Sequence, residues 1–346
     1  MYQSLYPNLR MKKIVFSFLL LGVFTLIHAQ KGPTVFDCIY ETEGIPVIKI
    51  ETNWNKVINQ KMDEEYLPGT IEMPCHGETL KFEIRTRARG NMRKQVCFFP
   101  PIKIDFKKGA LMKNKLDTAT DKLKVVFQCR TGDANTELLM REKLAYELYK
   151  IINPEYYVFQ KQVKIECIDE GKVKYTLDAL IVEDEEKLGD RFNARIVETG
   201  KVMSPSLDKT IYQRMTFFQY MIGNTDWSLP NRHNIEMIKV PENQKIIPLA
   251  YDFDYSALVG ASYAVPHESL PIKSIFERLY QGHGVSEEDA MATAKYFLEK
   301  KPQLLQAVTD CQGLDDKAKN NVNKFLGSFF SIIENEKQVK RTFVQE

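Results

Sequence analysis

Four oxygen-bearing side chains stand at the ends of apolar runs within residues 217–256: Asp226, Asn234, Asp252 and Asp254. Asp226 follows an apolar segment that closes on Gly223-Asn224-Thr225, and Asn234 is the last polar residue before the run 235–240. Asp252 and Asp254 follow the returning run through Ile246, Ile247 and Leu249, with Phe253 between them to anchor the turn. Such carboxylates and an amide on a rigid rim form a sparse set of hard donors, which suits Mg²⁺ (or Mn²⁺) better than Ca²⁺. Phosphoryl transfer from ATP needs such a metal site, a carboxylate to orient the attacking hydroxyl, and cations on the phosphates. Asp226 is the candidate base, Asn234 and Asp252 are the candidate metal ligands, and Arg89 and Lys103 are the candidate phosphate cations.

The elements that must position these groups follow from periodicity. Residues 34–51 read as one or two strands, and 66–91 as a hairpin region ending on Arg85, Arg87 and Arg89, which alternate onto one face before Gly90-Asn91. The bland reading of that face is a charged sheet edge. The sharper one is an anion-binding strand, with a glycine turn that lets backbone amides approach phosphate. Ile102, Ile104 and Phe106 alternate on the next strand and leave Lys103 on the opposite face. A buried strand is expected at 123–129, then a helix at about 136–152 capped by Asp133 or Asn135. Glu137, Glu142 and Glu147 on that helix are candidates to pair with Lys103, and Arg141 falls in its apolar stripe.

A hairpin over 158–168 and 172–183 ends at Glu183-Asp184, the place of a hinge in a bilobal nucleotide-binding fold. The helix 206–222, capped by Ser206, runs into Gly223, a C-terminal glycine, and a hairpin follows it. Helices are expected at 272–280, 287–300, 303–308 and 317–336. In protein kinases the base and the metal-binding amide stand five apart and the amide opens a strand. Asn231 has that spacing and Asn234 the strand position; Asn234 is favoured because a strand start is rigid, and Asn231 stays open.

The chain has 346 residues, 44% hydrophobic and 27% charged, enough for a substantial core. Lys12-Lys13, an apolar run over 14–27 and His28-Ala29-Gln30 have the order of a secretory signal peptide, with Met11 read as the start and residues 1–29 removed. That removal takes away Arg10, Lys12 and Lys13 and no acidic residue, so the mature chain is near neutral and lacks the basic footprint of a nucleic-acid binder. No other stretch is long enough to span a bilayer, and the expected location is periplasmic or extracellular. All six cysteines lie beyond residue 29, where disulfides are permitted, in fifteen possible pairings, and each could equally be a buried thiol.

Arg89-Gly90-Asn91, Pro101-Ile102-Lys103-Ile104, the run Leu139-Met140-Arg141-Glu142-Lys143-Leu144-Ala145-Tyr146-Glu147-Leu148, Asn224-Thr225-Asp226-Trp227 with His233-Asn234, and Tyr251-Asp252-Phe253-Asp254 follow one another across residues 80–256. In that order they resemble the CotH kinase-like family, named for spore coat protein H. The resemblance implies an α+β, bilobal, atypical protein-kinase-like fold, with a β-rich N-terminal lobe over 30–183 and a mainly helical C-terminal lobe over 184–346. It also implies ATP-dependent phosphorylation of a protein Ser/Thr or another hydroxyl acceptor, with Asp226 catalytic and Asp252 and Asp254 on the metal. Arg87, Arg89, Gly90, Asn91, Lys103, Glu142 and Glu183 make up the expected nucleotide site. The chain departs from the family's pattern at Met92-Arg93-Lys94-Gln95, where a serine-rich continuation is usual, and has no arginine directly after Asp226. The alternatives are a catalytically inactive binding module of the cell envelope and a hydrolase using Asp226 and Asp252 as an acid–base pair.

Overall fold

Strands whose side chains alternate between two faces bury one face if the sheet curls around it, and that happens here. The computed structural model describes Met1 and residues 32–200 and 202–344; the expected signal peptide lies outside the described residues, apart from Met1. The chain enters through helix α1 (Val35–Tyr40), where Thr34 and Asp37 form a capping box, so the first part of the stretch read as strand is helical. Strand β1 (Val47–Thr52), helix α2 (Trp54–Asn59), β2 (Leu67–Cys75), β3 (Glu78–Ala88), helix α3 (Met92–Val96), β4 (Ile102–Phe106), helix α4 (Lys108–Lys113) and β5 (Lys122–Phe127) follow. Helix α5 (Asp133–Ile152) leads to β6 (Gln160–Asp169) and β7 (Lys172–Val182).

The seven strands close into a barrel in the order β1-β2-β3-β4-β5-β7-β6. Closure is made by a parallel pair, Val47 to Glu51 of β1 against Lys164 to Ile168 of β6, while the other pairs are antiparallel. Ile48, Ile50, Phe82, Ile84, Ile102, Ile104, Val163, Ile165, Leu177 and Ile181 point inward and meet Phe36 and Trp54. Cys38–Cys75 and Cys97–Cys129 are disulfides, and Cys167 and Cys311 are buried thiols, so both readings of the cysteines are realised.

The second half comprises helix α6 (Glu185–Arg191), β8 (Arg195–Ile196), α7 (Lys209–Ile222), β9 (Ile235–Lys239), β10 (Ile247–Ala250), α8 (Glu287–Asp310), α9 (Asp316–Ile333) and α10 (Glu336–Phe343). Strands β10, β9 and β8 form a small sheet. Residues 272–280, expected as a helix, are irregular, and the two helices expected around Pro302 are the single helix α8. No helix among the described residues is long and apolar enough to cross a membrane.

The bilobal kinase-like expectation is corrected by this architecture. A sheet of one lobe hinged to a helical lobe is replaced by a closed barrel, and Gly32–Glu346 is one compact unit. The physical reason lies in β5 and β7. Val125, Phe127, Leu177, Ala179 and Ile181 face the barrel core, whereas Val126, Leu180 and Val182 pack with α5, α7 and the later helices. These strands are buried on both faces, which is why β5 ends in the continuous apolar run Val125-Val126-Phe127.

Gly223, the C-cap of α7, has φ 63°, and a Cβ there would come within 2.8 Å of the Ala257 Cβ. Both the left-handed backbone and the contact exclude a side chain. Gly223→Ala is expected to lower the free energy of unfolding by more than about 1 kcal/mol in urea titration, and an unchanged midpoint would show that this turn is softer than its contacts imply.

Candidate active site

A chain of amides fixes Asp226. Asn224 is buried, donates from Nδ2 to Gln219 Oε1 on α7 at 3.0 Å, and accepts the Asp226 backbone N–H on its Oδ1 at 3.0 Å. Asn234 Nδ2 donates to both the Asp226 backbone carbonyl (2.8 Å) and Asp226 Oδ2 (3.0 Å), while Asp226 Oδ1 meets His233 Nε2 at 3.0 Å. The amide hydrogens of Asn234 are thus spent on Asp226, which leaves its Oδ1 as the atom able to coordinate a cation.

The β9–β10 hairpin brings the second carboxylate to the same place. Ile235 pairs with Ala250, and beyond that pair Tyr251 N donates to the Asn234 carbonyl at 3.2 Å, so Asn234 and Asp252 flank one end of the ribbon. Both have left-handed backbones, φ 54° and 57°. Asn and Asp tolerate that conformation better than other side chains. Asp252 is further held by its backbone N–H, which donates to the Tyr146 hydroxyl of α5 at 3.0 Å.

Arg93, from the short helix after the glycine turn, reaches into this acidic cluster. Its guanidinium pairs with Glu142 of α5, donates from Nε to Asp254 Oδ2 at 2.8 Å and to the Tyr263 hydroxyl at 3.0 Å, and Tyr263 donates to the same Asp254 oxygen at 2.9 Å. Burial opposes the charge on Arg93, but Glu142 and Asp254 outweigh it and hold the group protonated. Burial, then repulsion from Asp254 and Glu142, pushes the Asp252 carboxyl well above the ordinary carboxylate range. Three acidic groups, Asp252, Asp254 and Glu142, thus crowd around one guanidinium, and Asp252, Asp226 and the Asn234 Oδ1 are the oxygen donors that the two ends of the hairpin bring to the cavity.

These groups line a cavity of about 420 Å³ with Arg89, Gly90, Asn91, Tyr251 and Tyr255. Gly90 has φ 85°, the conformation that turns the chain from β3 toward α3. A smaller cleft adjoins it and shares Arg89, Val126, Tyr251 and Asp252; its other walls include Lys124, Glu183, Asp184, Glu185 and Glu236. Lys124 donates to Glu185 at 2.6 Å, and although burial opposes it, this partner pulls the Glu185 carboxyl down to about 2. Burial pushes Glu236 up to about 7.

The structure thus gathers Arg89, Gly90, Asn91, Asp226, Asn234, Asp252 and Asp254 around one cavity, with Glu142 beneath it. Other expectations are placed elsewhere. Lys103 lies on the outward face of β4 opposite Lys124 and lines neither cavity; the wall lysine is Lys124, and Glu142 pairs with Arg93 instead. Arg87 pairs with Glu64 at 2.6 Å and packs on Tyr66. Glu183 reaches the smaller cleft but is held by Arg191 at 2.7 Å and accepts the Phe159 N–H, as a structural carboxylate. Asn231 is exposed and does not line the cavity, so Asn234 is the amide at the site. Arg141 pairs with Glu137, the structural alternative for an arginine on that stripe.

Sequence reasoning missed Arg93, Lys124 and His233. A lysine inside the apolar run 123–127 was the available signal for Lys124, whereas nothing local marks Arg93, whose partners are 49 and 161 residues away. Arg93→Ala would strand two buried carboxylates and is expected to cost roughly 3–5 kcal/mol, with part recovered by adding Glu142→Gln; a loss below about 1 kcal/mol in chemical denaturation would contradict this pairing.

The hydrogen bond that His233 donates to the Asp226 carboxylate raises the imidazole above its ordinary value of 6.5. The stabilisation from this pair is therefore full below about pH 6.5 and lost as pH rises through the folded-state value. Imidazole titration followed by NMR should place His233 above 6.5, returning toward it in Asp226→Asn; a value at or below 6.5 in the parent protein would refute the pairing. Compared with known proteins, this chain matches no family model and no curated sequence.

Proposed function

We propose that the cavity binds ATP with Mg²⁺ or Mn²⁺ and that the protein transfers the terminal phosphoryl group to a hydroxyl of a protein Ser/Thr or another acceptor. The observation that carries this reading is the meeting of Asp226, Asn234 and Asp252, from two loops joined by one hairpin, at a cavity that Arg89-Gly90-Asn91 also lines. The motifs resembling the CotH family contain these same residues, and the activity proposed is the one that resemblance implies.

Asp226 orients the acceptor hydroxyl and takes its proton as the oxygen bonds to the γ-phosphorus and the bridging P–O bond to the leaving diphosphate breaks. Asn234 presets Asp226 through one hydrogen bond to its carboxylate and one to its backbone carbonyl and, with Asp252, would hold the metal, which would supply charge neutralisation on the phosphates. Arg89, which lines the same cavity, meets phosphate charge. Arg93 holds Asp254 and Glu142 in place and offsets part of their charge. Protonated His233 would compete for the Asp226 carboxylate, so transfer should rise with pH as the imidazole loses its proton.

Two disulfides support an oxidising compartment, in keeping with export to the periplasm or beyond. The competing reading, an inactive binding module, draws on Lys124 being tied to Glu185 and on Lys103 lying away from the cavity.

Thermal unfolding with ATP and Mg²⁺ separates them. At ~100 times the dissociation constant, nucleotide and metal together should stabilise the protein by about 2.7 kcal/mol. Asp252→Ala is expected to abolish that shift, and Asp226→Asn to keep much of it while losing transfer. An intact fold with no shift for any nucleotide would sink the phosphotransferase and leave the module.

A further inference from the structure

The loop that carries Asp226 has a second side. Asp226, Arg232, His233 and Asn234 line the acidic cavity, whereas Trp227, Ser228, Leu229 and Pro230 line a separate cavity of about 480 Å³. Its remaining walls are Val202, Met203, Ser204, Tyr212, Tyr280, Gln281 and His283. The lining is mostly apolar and aromatic: Trp227, Leu229, Val202, Tyr212 and Tyr280 are all buried, and Met203 stands exposed at the rim.

The walls are preformed. The Tyr212 hydroxyl accepts the His283 N–H at 3.0 Å and ties the 280–284 segment to α7, and the Tyr280 hydroxyl lies 3.0 Å from Thr216 Oγ1. Gly282 leaves room for the Tyr280 ring, since a Cβ there would fall 2.2 Å from that hydroxyl. Ser228 exchanges two backbone hydrogen bonds with His233, each 3.0 Å, so the two sides of the loop are fixed with respect to each other.

We infer that this cavity receives an aromatic side chain of a polypeptide acceptor, close in sequence to the hydroxyl presented to Asp226. The inference rests on the phosphotransfer reading and adds a substrate class to it. Asp226 and Trp227 are consecutive and line the two cavities, so the apolar side of the loop lies within a few residues' reach of a chain whose hydroxyl is at Asp226. The volume is in the range of small-ligand pockets, and its walls offer stacking partners with few polar groups, as an aromatic ring requires.

The chain's two tryptophans make the test direct, because Trp54 is enclosed in the barrel and Trp227 lines the cavity. Blocked heptapeptides with a central serine, carrying phenylalanine in turn at each flanking position, are titrated against an all-alanine counterpart while tryptophan emission is followed. At least one phenylalanine peptide should bind about tenfold or more tightly than the alanine peptide and shift the emission. Trp227→Phe should remove the signal, and Met203→Arg should bring the affinity down to the alanine level with the unfolding midpoint unchanged.

Equal binding of all peptides would overturn the inference, as would tighter binding of decanoate with the same emission change, which would make the cavity an acyl-chain site. Nucleotide binding is read on the same protein by thermal unfolding, without peptide. Nucleotide binding without a phenylalanine preference sinks this inference alone; a phenylalanine preference without nucleotide binding sinks the phosphotransfer reading and leaves a peptide-binding cavity.

Discussion

The site depends on one buried guanidinium. Arg93 joins three parts of the chain that share no backbone hydrogen bonds at the site: the turn after β3, the middle of α5 and the turn after β10. Two buried carboxylates in a low-dielectric setting repel one another, and a single planar cation with several donors can satisfy both at once. Without it Glu142 and Asp254 would push apart, and the turn that carries Asp252 would lose its register against α5. The Cys97–Cys129 disulfide adds a covalent limit, since Cys97 closes α3 and Cys129 lies just past β5. The cavity is in this sense an electrostatic joint that happens to be concave.

Much of this site was legible from the sequence, and the reason is local. Asp226, Asn234 and Asp252 end elements whose periodicity is plain, and the hairpin between them fixes the distance along the chain. Gly223 announces its own backbone. What escaped was set by long-range pairing. Nothing in residues 47–52 says that they lie parallel to 164–168, so barrel closure could not be read, and with it went the expectation of two hinged lobes. Lys103 and Lys124 are cross-strand partners on one face, and it is the position of Glu185 at the start of α6, which alternation along β4 does not reveal, that draws Lys124 to the cleft wall.

The double burial of β5 and β7 gives the molecule its mechanical character. One face of each strand belongs to the barrel and the other to the helical core, so the two cores cannot slide past one another without opening the same strands. Glu183 sits at the end of β7, clamped by Arg191 and by the Phe159 N–H, which stiffens the segment where the chain leaves the barrel. Ligand entry at the cavity must then rely on side-chain motion and on the loops at its rim.

The left-handed backbones of Asn234 and Asp252 carry a last consequence. Glycine would adopt φ 57° at lower cost than Asp252, whose charge is also opposed by burial and by its acidic neighbours, so selection for stability alone favours glycine there. At Asn234, φ 54°, the two hydrogen bonds to Asp226 weigh against the same change. A thermostable redesign of this protein should hold Asp252 fixed, because there the gradient of stability and the gradient of chemistry point in opposite directions.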